Sequence, residues 1–186
     1  SMKKGKKPSV RKFSEKQKKP EAQVKFKKTD QTHLLIGSRA YDYNHKDRYA
    51  LALLSIILGG NMSSRMFIEV REKRGLAYYV RTMVEAYEDT GYIATQAGVE
   101  HKNLEMAIKT ILGEYEKIKK EKVNEAELRK AKDYLRGKAI MGMESSDEVA
   151  MFYVDQESAR RKIITLEEKL KLIEKVSADD IIKVAK

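Results

Sequence analysis

The sequence predicts an α+β fold: an antiparallel sheet with helices packed on one face. Three features of its 186 residues carry that expectation. Period-two alternation of apolar and polar residues ends near Val99. Two strand-like runs, Tyr78 to Tyr87 and Gly91 to Val99, are joined by the short Glu88-Asp89-Thr90 turn and read as a hairpin. Beyond His101 the apolar residues recur only at helical spacing.

The chain opens with an arm. Ser1-Met2 reads as the remnant of a cleaved expression tag, and residues 1–22 hold both prolines, Pro8 and Pro20, among lysines. Residues 1–28 carry twelve Lys/Arg against Glu15 and Glu21, which accounts for ten of the eleven net positive charges. The remainder is close to neutral, so a basic nucleic-acid face on the folded part has no support. Aromatic residues for base stacking are nearly absent from the arm. It reads as a solvated linker between domains rather than a nucleic-acid tether.

The domain is expected over 23–186. Val24-Lys25-Phe26 alternates as a strand would, and Gln31 to Tyr41 continues with Leu34, Ile36 and Ser38 opposite His33, Leu35 and Gly37. Asn44 is placed to cap a helix that is apolar nearly all round from Ala50, and so belongs in the core. Gly59-Gly60 should end it in a left-handed cap. After the hairpin, one helix carries a stripe from Leu104 to Ile118. Asn124 with Glu127 starts another, bearing Leu128, Ala131, Leu135, Ala139 and Met143. Ser145-Ser146-Asp147 interrupts the pattern before a helix through Val149, Phe152 and Ala159. Thr165 with Glu168, and Ser177 with Asp180, mark two last starts. The chain stops at Lys186 in an amphipathic helix with no strand after it, so the fold is expected to be cut short at its C-terminus.

Composition removes several functions. There is no cysteine, hence no disulfide or thiol chemistry, which suits the cytoplasm. The longest nearly apolar run, Tyr49 to Leu58, is too short to span a bilayer, and no secretion signal is visible. No phosphate loop, Ser-His-Asp order or dinucleotide fingerprint appears. His33, His45 and His101 are too scattered for a zinc motif of the H-x-x-E-H or H-E-x-x-H kind. His101 and Glu105 share a helix face at most as a surface pair, and His33 is a packed or edge residue. Met141 and Met143 read as core or interface packing.

The dense signal lies between Leu58 and Val80. A serine, Ser63 or Ser64, can cap a short helix with Met66, Phe67 and Val70 on its apolar side. Glu69 stands four before Lys73. Gly75 sits where a left-handed residue ends a helix, with Leu76 folding back on Val70. Arg71 and Tyr78, seven apart, could then meet at the end of the sheet. A guanidinium binds a carboxylate or carbonyl through two parallel hydrogen bonds. A prepositioned phenol donates to an oxyanion developing on a scissile carbonyl. The plainer reading pairs Arg71 with Glu72 and packs Tyr78 in the sheet.

The string G-G-N-M-S-S-R-M-F-I-E-V-R-E-K-R-G-L-A-Y-Y-V resembles the C-terminal half-domain of the pitrilysin, insulysin and mitochondrial-processing-peptidase family of zinc metallopeptidases, the inverzincins. The likeness extends through Q-T-H-L-L-I-G, D-T-G-Y and N-E-A-E-L-R-K-A-K, and covers about residues 23–186. It implies one half of a clam shell around an extended peptide. The N-terminal half, on the same polypeptide or on a separate subunit, would bring the zinc and the general base, in a homo- or heterodimer or a single chain. This half would bring no metal ligand and no catalytic base, and alone would hydrolyse nothing. Its substrate residues would be Arg71 and Tyr78. Gly59, Gly60 and Asn61 would stand in a loop by the cleft, at a position where some non-catalytic subunits carry a longer glycine-rich loop. The alternative within the same fold family is an interaction or scaffold protein without proteolysis.

Overall fold

The computed structural model describes residues 12–160 and 162–186. Three strands, β1 (Thr32–Ala40), β2 (Ala77–Ala86) and β3 (Gly91–Val99), form a sheet in the order β1-β3-β2. Both pairings are antiparallel, with Thr32 opposite Val99 in one and Val80 opposite Ala97 in the other. Six α-helices follow in chain order among the described residues: α1 (Arg48–Gly59), α2 (Leu104–Lys120), α3 (Glu125–Met141), α4 (Ser146–Arg160), α5 (Leu166–Glu174) and α6 (Ala178–Ala185). A π-helical turn (Phe67–Glu72) stands between α1 and β2, and a 3₁₀ turn (His101–Asn103) between β3 and α2. The α+β expectation holds.

The helices cover one face of the sheet. Ile93, Ala97, Val99 and Val80 point inward and are buried, while Leu35 and Tyr92 lie exposed on the other face. On that outer face the Tyr79 hydroxyl meets His33 Nδ1 at 3.1 Å and accepts from Gln96 Nε2 at 3.3 Å. The helix α1 lies against β2 and is enclosed by α3 and α6, and α2 bridges β3 and α6. That position explains the near-continuous apolar sequence of α1, since Leu53 and Leu58 are fully buried. Each such side chain contributes about 1.5–3 kcal/mol through removal from water. Inside this core Thr95 Oγ1 lies 2.8 Å from both Thr82 Oγ1 and Tyr115 Oη, a chain that satisfies the hydroxyls of two buried threonines and a half-buried tyrosine. Burial raises the Tyr115 phenol above its ordinary value.

Several expectations need correction. Val24 and Phe26 are almost wholly exposed and residues 12–31 hold no regular structure. Alternation without a neighbouring strand buries neither face. Asn44 does not cap α1; its amide donates to Asp42 Oδ1 in a turn that reaches Asp47 before the helix begins. Asp47 makes no cap bond either, because its carboxylate pairs with Lys183 of α6 at 2.9 Å. Gly60 ends α1 at φ −81°, in the right-handed region. The glycine requirement falls on Gly59, where a β-carbon would stand 2.5 Å from the Thr82 backbone nitrogen. Met141 is exposed at the end of α3, which removes the core half of the core-or-interface reading for that residue.

The later helix starts follow the sequence closely. Thr165 with Glu168, and Ser177 with Asp180, close reciprocal capping boxes at α5 and α6. Asn124 caps α3 by accepting from the Glu127 amide at 2.8 Å. The helix α4 is held near its C-terminal end, where the buried Gln156 side chain bonds both ways with the Ile164 backbone, at 3.2 and 3.0 Å.

Candidate functional site

The site is built on the chain between α1 and β2. Asn61 Oδ1 accepts from both the amide and the hydroxyl of Ser63 at 2.9 Å, which curls the chain after Gly60. Neither serine caps by its side chain: the Ser64 hydroxyl turns back to the Asn61 carbonyl, and only the Ser64 backbone accepts, from Ile68. Gly59, Gly60 and Asn61 are thus occupied with packing and with shaping this curl.

The short helix that follows is wider than α. The Lys73 amide donates to the Ile68 carbonyl at 2.9 Å, five residues back. Met66 and Val70, fully buried, anchor it in the core. Glu69 holds Lys73 at 2.6 Å and also takes Arg74. Hydrogen bonds from Lys73 and then Arg74 lower its carboxyl to about 2. At the C-terminal end Gly75 adopts φ +60°, and the Leu76 amide folds back to the Val70 carbonyl at 2.9 Å. The expected left-handed exit is present, one residue wider than in an α-helix because the turn itself is π.

Arg71 lies on the last part of this turn with its guanidinium carbon 5.0 Å from the centre of the Phe67 ring. Among the described residues its guanidinium forms no ion pair or hydrogen bond with protein, and the alternative pairing with Glu72 is not made. Its donors face outward unused. Tyr78 follows after Leu76 and Ala77, both buried. Ala77 stands opposite Val99 and Tyr79 opposite Gly98, so Tyr78 is an extra residue in a β-bulge. Straight pairing would turn Tyr78 inward beside Val80; the bulge leaves it 53% exposed instead. Its hydroxyl donates to Glu100 Oε1 at 3.4 Å, and Lys102 pairs with Glu100 at 2.8 Å. Lys102 foremost, with a smaller part from Tyr78, holds the Glu100 carboxyl below its ordinary value.

Arg71 precedes and Tyr78 follows the sharp turn at Gly75, and among the described residues their side chains share no hydrogen bond, each engaging a different neighbour. Glu100 is a neighbour the sequence reading missed, because its approach to Tyr78 depends on the bulge and on the end of β3. His101 is spoken for: its ring nitrogens meet Thr32 Oγ1 at 2.7 Å and the Thr29 carbonyl at 2.8 Å. Glu105 pairs with Lys109. Among the described residues no cluster of three or more His, Asp or Glu could hold a metal ion. The residues here therefore do not fit a zinc site.

A sequence profile described as the peptidase M16 inactive domain matches residues 1–135. The chain belongs to that family. The inactive domain is 39% identical over 164 residues to an uncharacterized zinc protease of Rickettsia felis, covering 86% of this chain and 39% of that protein. It therefore spans well under half the length of that relative. Among solved structures it resembles a protease from Helicobacter pylori, with 26% identity, a TM-score of 0.77, and coverage of 84% of this chain and 38% of the other. A peptidase M16 inactive domain from Pseudomonas fluorescens shares the fold at 22% identity and a TM-score of 0.76, over 83% of this chain and 37% of that one. No helix among the described residues of the M16 domain is long and apolar enough to cross a membrane.

Proposed function

We propose that this M16 domain is the substrate-holding half of a zinc peptidase, with Arg71 and Tyr78 gripping the backbone of an extended peptide beside the scissile bond. The observation that carries the reading is the free guanidinium of Arg71, displayed on a π-helical turn that leads through Gly75 to a bulged, exposed tyrosine. Arg71 can take a peptide carbonyl or terminal carboxylate by two N–H donors. The Tyr78 O–H, released from its long bond to Glu100, can donate to the carbonyl under attack and favour its developing negative charge. Zinc and the water it activates would come from an N-terminal partner half, on the same polypeptide or in a homo- or heterodimer. The greater length of the zinc-protease relatives supports a partner of that kind. The Gly59-Gly60-Asn61 curl would form the rim of the cleft, and residues up to 22 the link between halves. The lack of cysteine suits a cytoplasmic setting.

The test joins the chain to its zinc-binding half and follows cleavage of labelled β-casein, an unstructured probe. Tyr78→Phe is expected to lower kcat by roughly 10–1000-fold with the melting temperature unchanged. An unaltered rate would remove Tyr78 from the reaction.

A further inference from the structure

We infer that Arg65, clamped by Glu127, is a positioning residue for Arg71, an inference that rests on the reading of Arg71 as a peptide contact. The clamp is a two-pronged bond between distant parts of the chain. Arg65 Nε and Nη2 donate to Glu127 Oε1 and Oε2, each at 2.7 Å. The side chains are only 18% and 26% exposed, so water weakens this pair less than a surface pair. Arg65 immediately precedes Met66 and the π-helical turn, while Glu127 lies in the first turn of α3. The clamp therefore fixes how the turn is rotated about its buried anchors, Met66 and Val70. Phe67, two residues beyond Arg65, carries the Arg71 guanidinium on its ring.

The helix starts of this same protein argue that the clamp is a diversion. In α5 and α6 the third-position carboxylates, Glu168 and Asp180, return to the cap backbone and close the box. In α3 Asn124 caps in the same way, yet the Glu127 carboxylate leaves the box open and reaches Arg65. Its contribution to α3 is forgone and its geometry serves the turn. Glu127 foremost, with Glu114 and Glu121 further off, raises the Arg65 guanidinium above its ordinary value. Lysine would keep the charge there but offer a point contact in place of a fork, and so would not fix rotation.

Two measurements on the full chain test the inference. The first is the NMR shift of the Arg71 side chain caused by the Phe67 ring, referenced to Phe67→Leu. Arg65→Lys and Glu127→Gln are expected to reduce that shift by half or more while the chain still melts cooperatively. An Arg71 shift unchanged in both variants overturns the inference. The second is binding of fluorescein-labelled β-casein by anisotropy. Arg65→Lys is expected to weaken it about threefold or more in the wild-type background and to have no added effect in Arg71→Ala, as coupled residues require. Independent, additive losses overturn the positioning role. If Arg71→Ala itself leaves casein binding unchanged, the peptide-contact reading fails, and the NMR shift still decides whether the clamp sets Arg71. If Arg65→Lys does not fold, Glu127→Asp, which keeps the charge and shortens the reach, is read in both measurements with the same expected and overturning results.

Discussion

Glu69 is the side chain at the site whose charge state bears most directly on the local fold. Its two cationic partners, Lys73 and Arg74, lie on the same short segment and lower its carboxyl to about 2 from an ordinary 4.5. A carboxylate with a depressed folded value contributes stability that is fully present above its unfolded value and is lost as pH falls through the folded one. Between pH 4.5 and about 2 the chain should therefore lose stability by an amount that Glu69→Gln removes. Urea melts of both proteins across that window measure it; equal pH slopes would count against the pairing. Tyr78 and Arg71 differ in how far the sequence revealed them. Their residue types and seven-residue spacing were legible, as was the turn at Gly75. The bulge at Tyr78 was hidden, because it exists only as a mismatch between two strands. The Arg65–Glu127 pair was hidden for a related reason, joining residues 62 apart.

At the scale of elements, local signals survived best where a side chain and its partner are near in sequence. The capping boxes of α5 and α6 and the β2–β3 hairpin are of this kind. The failures at Val24–Phe26 and Asn44 arose where a local pattern needed a tertiary partner or met a competing turn. Two glycines separate these influences. Gly75 is demanded by backbone conformation alone, since nothing lies within 4 Å of where its β-carbon would stand. Gly59 is demanded by crowding, its β-carbon falling 2.8 Å from Thr82 Cβ and closer still to the Thr82 backbone nitrogen. Gly75→Ala is expected to cost about 1–2 kcal/mol as a left-handed non-glycine residue, and Gly75→Asn less. Gly59→Ala should cost about 1–3 kcal/mol by forcing α1 from β2, with Gly59→Asn worse. Denaturant midpoints of the four variants check this; a better-tolerated asparagine at 59 than alanine would contradict it.

Across the whole molecule, the helices are secured unequally. The core around α1 is enclosed by the sheet, α3 and α6, whereas among the described residues α4 has no extensive packing against another element and leaves Met151 and Val154 more than half exposed. The Gln156–Ile164 bonds and the Lys169 ammonium over the Phe152 ring tie it to the start of α5. Gln156→Ala should speed limited proteolysis within 142–160 by about 5–30-fold, the effect of losing roughly 1–2 kcal/mol of local stability. Cleavage at the wild-type rate would mean that other contacts hold the helix. The Gln156 clasp thus acts as a seam. When it parts, α4 can swing out as a unit while the sheet, the π-helical turn, Arg71 and Tyr78 keep their places, so loosening of the outer helix and disturbance of the candidate site become separate events.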